Sequence, residues 1–193
     1  MFRKFTRGFT VGFGLLFCFS STAFAQSLVI GDGGAQECYY SVKHGDPGRT
    51  STIKKCKLAL RDPHLSKQDE AATHVNLGIL LMRDNKYDDA RAQYKKAIEM
   101  QPKLSEAYIN YAANLIYIGD FEEAVMASNK GIELGTKKMP EALFNRAMAY
   151  DHLKQYNKAY GDLKKALELR PDWKPALRAI GNYEVATKNG SQG

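Results

Sequence analysis

Asn76 to Pro102 reads NLGILLMRDNKYDDARAQYKKAIEMQP. Two further stretches repeat its pattern of residue classes: NYAANLIYIGDFEEAVMASNKGIELGT from Asn110 to Thr136, and NRAMAYDHLKQYNKAYGDLKKALELRP from Asn145 to Pro171. Successive copies are offset by 34 and then 35 residues. A period in this range marks stacked supersecondary units, none of which can bury its apolar face alone, so the chain is expected to form a solenoid and not a closed globule. The functional question then concerns a binding surface more than an active site.

Small residues recur at Gly78, Ala112 and Ala147, at Ala90, Ala124 and Ala159, and at Ala97, Gly131 and Ala166. Small side chains let two helices approach closely, while Leu77, Leu81, Tyr87, Tyr94, Tyr111, Leu115, Phe121, Tyr150, Tyr156 and Leu163 fill the space between them. Each unit therefore reads as a helical hairpin. Its turns fall at Asp84 to Lys86, Gly119 to Asp120 and Lys154 to Gln155. Asp120 and Glu123 have the spacing of a capping box, and Pro102 and Pro171 lie where a proline stops the second helix.

This order of small, aromatic, small and proline residues from Ala71 to Trp173 resembles the tetratricopeptide repeat family. The middle copy departs from it at Ser128, at Thr136 and by one extra residue before Met139, which predicts a looser joint between the second and third repeats. The resemblance implies an all-α, right-handed superhelical solenoid of antiparallel helix pairs with three repeats. First helices would line a concave groove and second helices a convex back. Such folds bind peptides and protein segments.

The ends of the chain have a different character. Arg3, Lys4 and Arg7 precede an apolar run from Gly8 to Phe19, and Ala23-Phe24-Ala25 supplies small residues where a signal peptidase reads. Residues 1–25 are read as a cleaved secretory signal, best suited to a periplasmic or secreted protein. The run is too short to span about 30 Å of hydrocarbon, so no stable membrane insertion is expected. Its removal leaves 25 basic against 21 acidic residues, a net charge of +4 in place of +7. Residues 26–34 read as a flexible linker and 189–193 as a flexible tail. Between them, 35–66 form an N-terminal helical hairpin, a degenerate leading repeat, and 67–188 the repeat domain, ending in a capping helix from Trp173 to Lys188.

Cys38 and Cys56 flank the turn Gly45-Asp46-Pro47-Gly48 in a chain read as exported, where thiols oxidise. If the flanking segments are antiparallel helices, the two sulfurs lie at equal heights and a disulfide is expected. Two buried free thiols or an intermolecular link are the alternatives.

Two positions before the small residue of each first helix stands an asparagine: Asn76, Asn110 and Asn145. A row of carboxamides, each able to donate and accept, suits an extended peptide backbone. Asparagine at this position also serves packing in such repeats. On the same faces lie Val75, Ile79 and Met82, then Ile109, Ile116 and Tyr117, then Phe144 and Met148, read as an apolar strip open to the groove. Chaperone-binding members of the family clamp a C-terminal carboxylate with lysine, arginine and asparagine. Here the matching positions hold Val75, Ile79, Asn110, Glu141 and Asn145, and only Asn110 fits. With Glu106, Glu141 and Asp151 near the groove, a basic or neutral apolar peptide is the expected ligand.

Lys95, Lys96, Lys130, Lys164 and Lys165 recur on the second helices, a solvated back or a stripe for an anionic envelope surface. The charge is small, and no nucleic-acid partner is expected. His44, His64, His74 and His152 are scattered with no acid and nucleophile at fixed spacing. No catalytic residue, metal or cofactor is therefore expected. The sequence as a whole reads as a non-catalytic scaffold or adaptor that binds another periplasmic or envelope protein in its groove. The alternative is a structural accessory held to anionic surface by its basic back.

Overall fold

The computed structural model describes residues 2–4 and 33–185. Among them are nine helices: α1 Gly34–Lys43, α2 Thr50–Ala59, α3 Lys67–Arg83, α4 Tyr87–Met100, α5 Ser105–Ile118, α6 Phe121–Glu133, α7 Met139–His152, α8 Tyr156–Leu169 and α9 Lys174–Ile180. Two three-residue strands, β1 Phe2–Lys4 and β2 Tyr183–Val185, pair antiparallel. The rest of the expected signal segment, residues 26–32 of the linker and the tail lie outside the described residues. None of the described helices is long and apolar enough to cross a membrane.

α3 packs on α4, α5 on α6 and α7 on α8, and each pair stacks on the next, giving the all-α solenoid that the repeat period predicts. Close approach depends on the small positions. A Cβ on Gly78 would lie 2.5 Å from the ring of Tyr94, which is fully buried beneath it. Alanine at this point would force the ring outwards. On α6, Gly131 leaves a hollow that the Ile109 side chain fills.

The hairpin turns share one backbone device. Asn85 (φ 59°), Gly119 (φ 88°) and Lys154 (φ 60°) stand at the same repeat position, seven residues after Gly78, Ala112 and Ala147, and all three are left-handed. Glycine adopts this conformation without strain and asparagine with little, whereas lysine pays for its Cβ.

α1 and α2 form the expected leading hairpin, and Cys38 and Cys56 are joined by a disulfide, with Cα atoms 5.1 Å apart and both residues fully buried. In the turn, Asp46 accepts the backbone N–H groups of Gly48 and Arg49 and the hydroxyl of Thr52. Burial opposes ionisation there, but these hydrogen bonds prevail and hold the carboxyl below its ordinary value. Arg83 of α3 donates to the carbonyls of Val42 and Asp46, docking the hairpin on the first repeat.

Two expectations are revised. The capping helix does not run from Trp173 to Lys188: α9 ends at Ile180, the chain turns at Gly181-Asn182, and Tyr183–Val185 is extended. Glycine and asparagine are poor helix interiors, and the tyrosine and valine after them favour a strand. Residues 186–188 lie outside the described residues. Asp120 and Glu123 do not form a capping box either, since α6 has no side-chain cap bond. Both carboxylates are drawn to Arg91 of α4, at 2.8 and 2.9 Å.

The apolar core has two main parts. One runs through α1 to α6 and includes Ala149, and the other joins α7, α8, α9 and Tyr183. The division falls at the joint where the middle copy departs from the pattern.

Replacing Gly119 by alanine is expected to cost about 1 to 2 kcal/mol, because nothing crowds its Cβ and only the backbone objects. Lys154→Gly should raise stability by about 1 kcal/mol for the converse reason. Urea denaturation of both variants checks the pair. Replacing both Cys38 and Cys56 by serine should lower stability by about 3 kcal/mol while the circular dichroism of the repeats stays helical.

Candidate peptide-binding groove

The first helices of successive pairs touch one another, α1 with α3, α3 with α5 and α5 with α7. They form the inner row of the solenoid. On the outer side, α4 and α6 splay apart over an open crevice of about 340 Å³ floored by Tyr108 and Tyr111. Closer spacing inside than outside is what bends the stack and makes its inner wall concave.

Along this wall the expected site residues separate into two groups. Val75, Asn76, Ile79 and Met82 are buried, within an unbroken buried run from Ala71 to Met82. α3 packs against α1, α2, α4 and α5, so the first repeat offers no open apolar strip. Ile109 is fully buried and sits over Gly131, in the seam between α5 and α6. Ile116 and Tyr117 on α5, and Phe144 and Met148 on α7, are half-buried and form the apolar part of the wall that solvent reaches. Tyr117 stacks on Tyr87 at 5.1 Å, and burial pushes its phenol pKa up. Phe144 meets Trp173 at 5.0 Å.

The three asparagines do not form an even row of exposed carboxamides. Asn110 is buried, and its Nδ2 donates to the Glu106 carbonyl one turn back on α5. Asn145 is half-buried and donates across the joint to the Ile109 carbonyl at 3.0 Å. Asn76 is completely buried. Asn145 therefore fastens one repeat to the next, the packing use that asparagine also has at this position.

Several joints were not legible in the residue pattern. Asn114 of α5 donates to the Tyr87 carbonyl at the start of α4. Tyr111 donates to Glu123 at 2.6 Å, and burial beside that carboxylate pushes its phenol up to about 12. Arg146 grips Asp162 through two 2.7 Å contacts and also reaches Asn129 of α6, so polar contacts bridge the break in the core. The exposed His152 stacks on Phe121 at 4.2 Å across the same break.

Acids lie at the third repeat's end of the wall. Glu141 is buried and bonded to Arg170 at 3.0 Å, while Asp151 accepts a 2.6 Å bond from the Tyr183 hydroxyl. On the back, Lys95, Lys96, Lys164 and Lys165 are exposed, and Lys130 pairs with Glu133. Among the described residues no group of three or more His, Cys, Asp or Glu is placed to hold a metal ion.

Profiles described as tetratricopeptide repeat match residues 69–137 and 140–172, which together are more than half of the sequence. The chain belongs to the tetratricopeptide repeat family. Members of this family are protein–protein interaction modules. The chain is 32% identical over 120 residues to sperm-associated antigen 1 of Mus musculus, covering 56% of this chain and 13% of that protein. It is 30% identical over 145 residues to protein O-mannosyl-transferase TMTC3 of Homo sapiens, covering 74% of this chain and 15% of that protein. It thus spans only a small part of the length of these curated relatives. Among solved structures, MamA superposes with a TM-score of 0.62 at 23% identity, covering 79% of this chain and 83% of that one. The first repeat domain of Spaghetti (RPAP3), bound to the HSP90 peptide SRMEEVD, superposes with a TM-score of 0.56 at 24% identity, covering 62% and 93%. At these identities the likeness is one of fold.

Asn145→Ala is expected to lower the melting midpoint by an amount worth about 1 to 3 kcal/mol, since it removes the donor to the Ile109 carbonyl. A second outcome concerns His74, buried with Nδ1–H donating to Gln93 at 2.8 Å. Burial first, then Lys96, lowers its pKa from 6.5 despite the opposing Gln93 bond and Glu70 charge. Below that pH the unfolded chain takes up a proton that the fold resists. Its contribution is therefore whole above 6.5 and lost as pH falls towards the folded value. The stability difference between wild type and His74→Gln should shrink between about pH 7.5 and 5.5, read by denaturant titration at each pH.

Proposed function

We propose that the chain is an exported, non-catalytic scaffold or adaptor that loses residues 1–25 and binds an extended segment of another periplasmic or envelope protein. The observation that carries this reading is the half-buried apolar set Ile116, Tyr117, Phe144 and Met148 on the adjacent inner helices α5 and α7. Two aromatic anchors and a soft methionine on a concave wall suit side chains of a docked segment. The buried Cys38–Cys56 disulfide supports an oxidising compartment, because cytosolic reductants keep such pairs open.

The groove's chemistry argues for a basic or neutral apolar ligand. Spaghetti's repeat domain holds a peptide rich in acidic residues. In this chain Glu106 and Asp151 lie along the wall, where a second acidic chain would be repelled, while the charge of the buried Glu141 is balanced by Arg170.

Exposed Lys95, Lys96, Lys164 and Lys165 provide the control. Ile116→Glu and Met148→Glu, which place charge on the groove wall, should each weaken partner capture from envelope extract by about 1 to 3 kcal/mol. Charge reversal of the four lysines should leave it intact at low and high salt. Capture that survives the groove variants, and is lost with the lysines and with rising salt, would assign binding to the basic back instead.

A further inference from the structure

The C-terminal strand β2 stands apart from the helical repeats. Tyr183 fixes it to the end of the solenoid: its hydroxyl donates to Asp151 on α7, and its ring meets Tyr156 and Tyr160 of α8 edge-on at 6.4 and 6.1 Å. The residue is 9% exposed, and burial with the Asp151 carboxylate pushes its phenol pKa up. A lone three-residue strand has little stability in water, so this anchoring holds β2 extended. An anchored strand presents a row of backbone N–H and C=O groups on its edge, which require a partner.

That edge is occupied by the chain's own start. Phe2, Arg3 and Lys4 pair antiparallel with Val185, Glu184 and Tyr183, and β1 also contacts α8. The register sets an apolar residue against Val185 and a basic one against Glu184. β1 meets the rest of the fold mainly at β2 and α8, which makes it an occupant of that edge.

We infer that β2 is a strand-addition site for an extended partner segment of apolar-basic-basic order, and that residues 2–4 fill it until they are removed. The second half of this inference rests on the reading of residues 1–25 as a cleaved signal; the first does not. Backbone pairing along β2 supplies affinity, and the order of residues opposite Val185, Glu184 and Tyr183 supplies selectivity. Before cleavage the attached N-terminus competes at the high effective concentration of an intramolecular ligand. After cleavage the edge is free, at the third-repeat end of the groove where Asp151 lies.

The test uses a fluorescein-labelled peptide with the sequence of residues 2–8, the chain of residues 26–193 and the full chain, read by fluorescence anisotropy. The peptide should bind residues 26–193, and bind the full chain about tenfold more weakly or worse. Methylating its backbone nitrogens one at a time should block binding at alternate residues only, because successive N–H groups of a strand point to opposite edges. Ile116→Glu and Met148→Glu should leave this binding unchanged, which separates it from capture by the groove. No binding to residues 26–193, equal binding to the full chain, indifference to methylation, or loss with the two groove variants would each overturn the inference.

Discussion

A two-helix unit of this solenoid has more apolar surface than it can cover by itself, and the whole architecture depends on how closely neighbouring helices approach to share it. At Gly78 the absence of a side chain lets the Tyr94 ring lie against the α3 backbone. Gly131 does the same for Ile109 on the next pair. Close approach turns flat helix faces into interlocking ones, and each contact it adds strengthens many small dispersion terms at once. The same approach on the inner side, without its counterpart between α4 and α6, gives the stack its curvature and hence its groove.

Polar side chains take over where this apolar sharing is interrupted. Between the second and third repeats the core divides, and the bridge is made by Asn145 to the Ile109 carbonyl, Arg146 to Asn129, and the stack of His152 on Phe121. Such contacts are directional, so they set the rotation of one repeat against the next more sharply than apolar packing does. Within the third repeat, Arg146 and Asp162 form a nearly enclosed pair with two short contacts, which would leave a costly buried charge if either partner were lost. α6 packs on α7 at least as closely as α4 on α5, so the joint is not the looser one that the middle copy's departures predict, and its polar contacts fix its orientation.

This arrangement leaves the half-buried apolar residues of the inner wall towards the C-terminal part of the solenoid. The first repeat is enclosed by the disulfide-linked hairpin and its neighbours, whereas α5 and α7 keep half-buried apolar residues on their inner faces. Asp151 joins the groove wall to the Tyr183 anchor of β2, so the groove and the strand edge meet at one end of the molecule.

Much of the architecture was legible in the residues themselves. The period of 34 and 35 residues, the small positions and the turns at Asn85, Gly119 and Lys154 follow from local chemistry, because a tight turn and a close helix crossing each restrict which residues can stand there. The Cys38–Cys56 link was expected from the turn that bisects the interval between the two cysteines. What the pattern left open was the rotation of each inner helix about its axis. A helical period says which residues share a face, but only the positions of neighbouring helices decide whether that face meets solvent or a seam. Ile109 therefore turned to Gly131, Asn145 to a carbonyl of the neighbouring repeat, and Val75, Ile79 and Met82 into the interior. Asp120 and Glu123 likewise had capping spacing, yet Arg91, distant in sequence, offered both carboxylates a full positive charge. The strand at Tyr183–Val185 depended on Asp151, Tyr156 and Tyr160 being brought together by folding, and no local period could announce it.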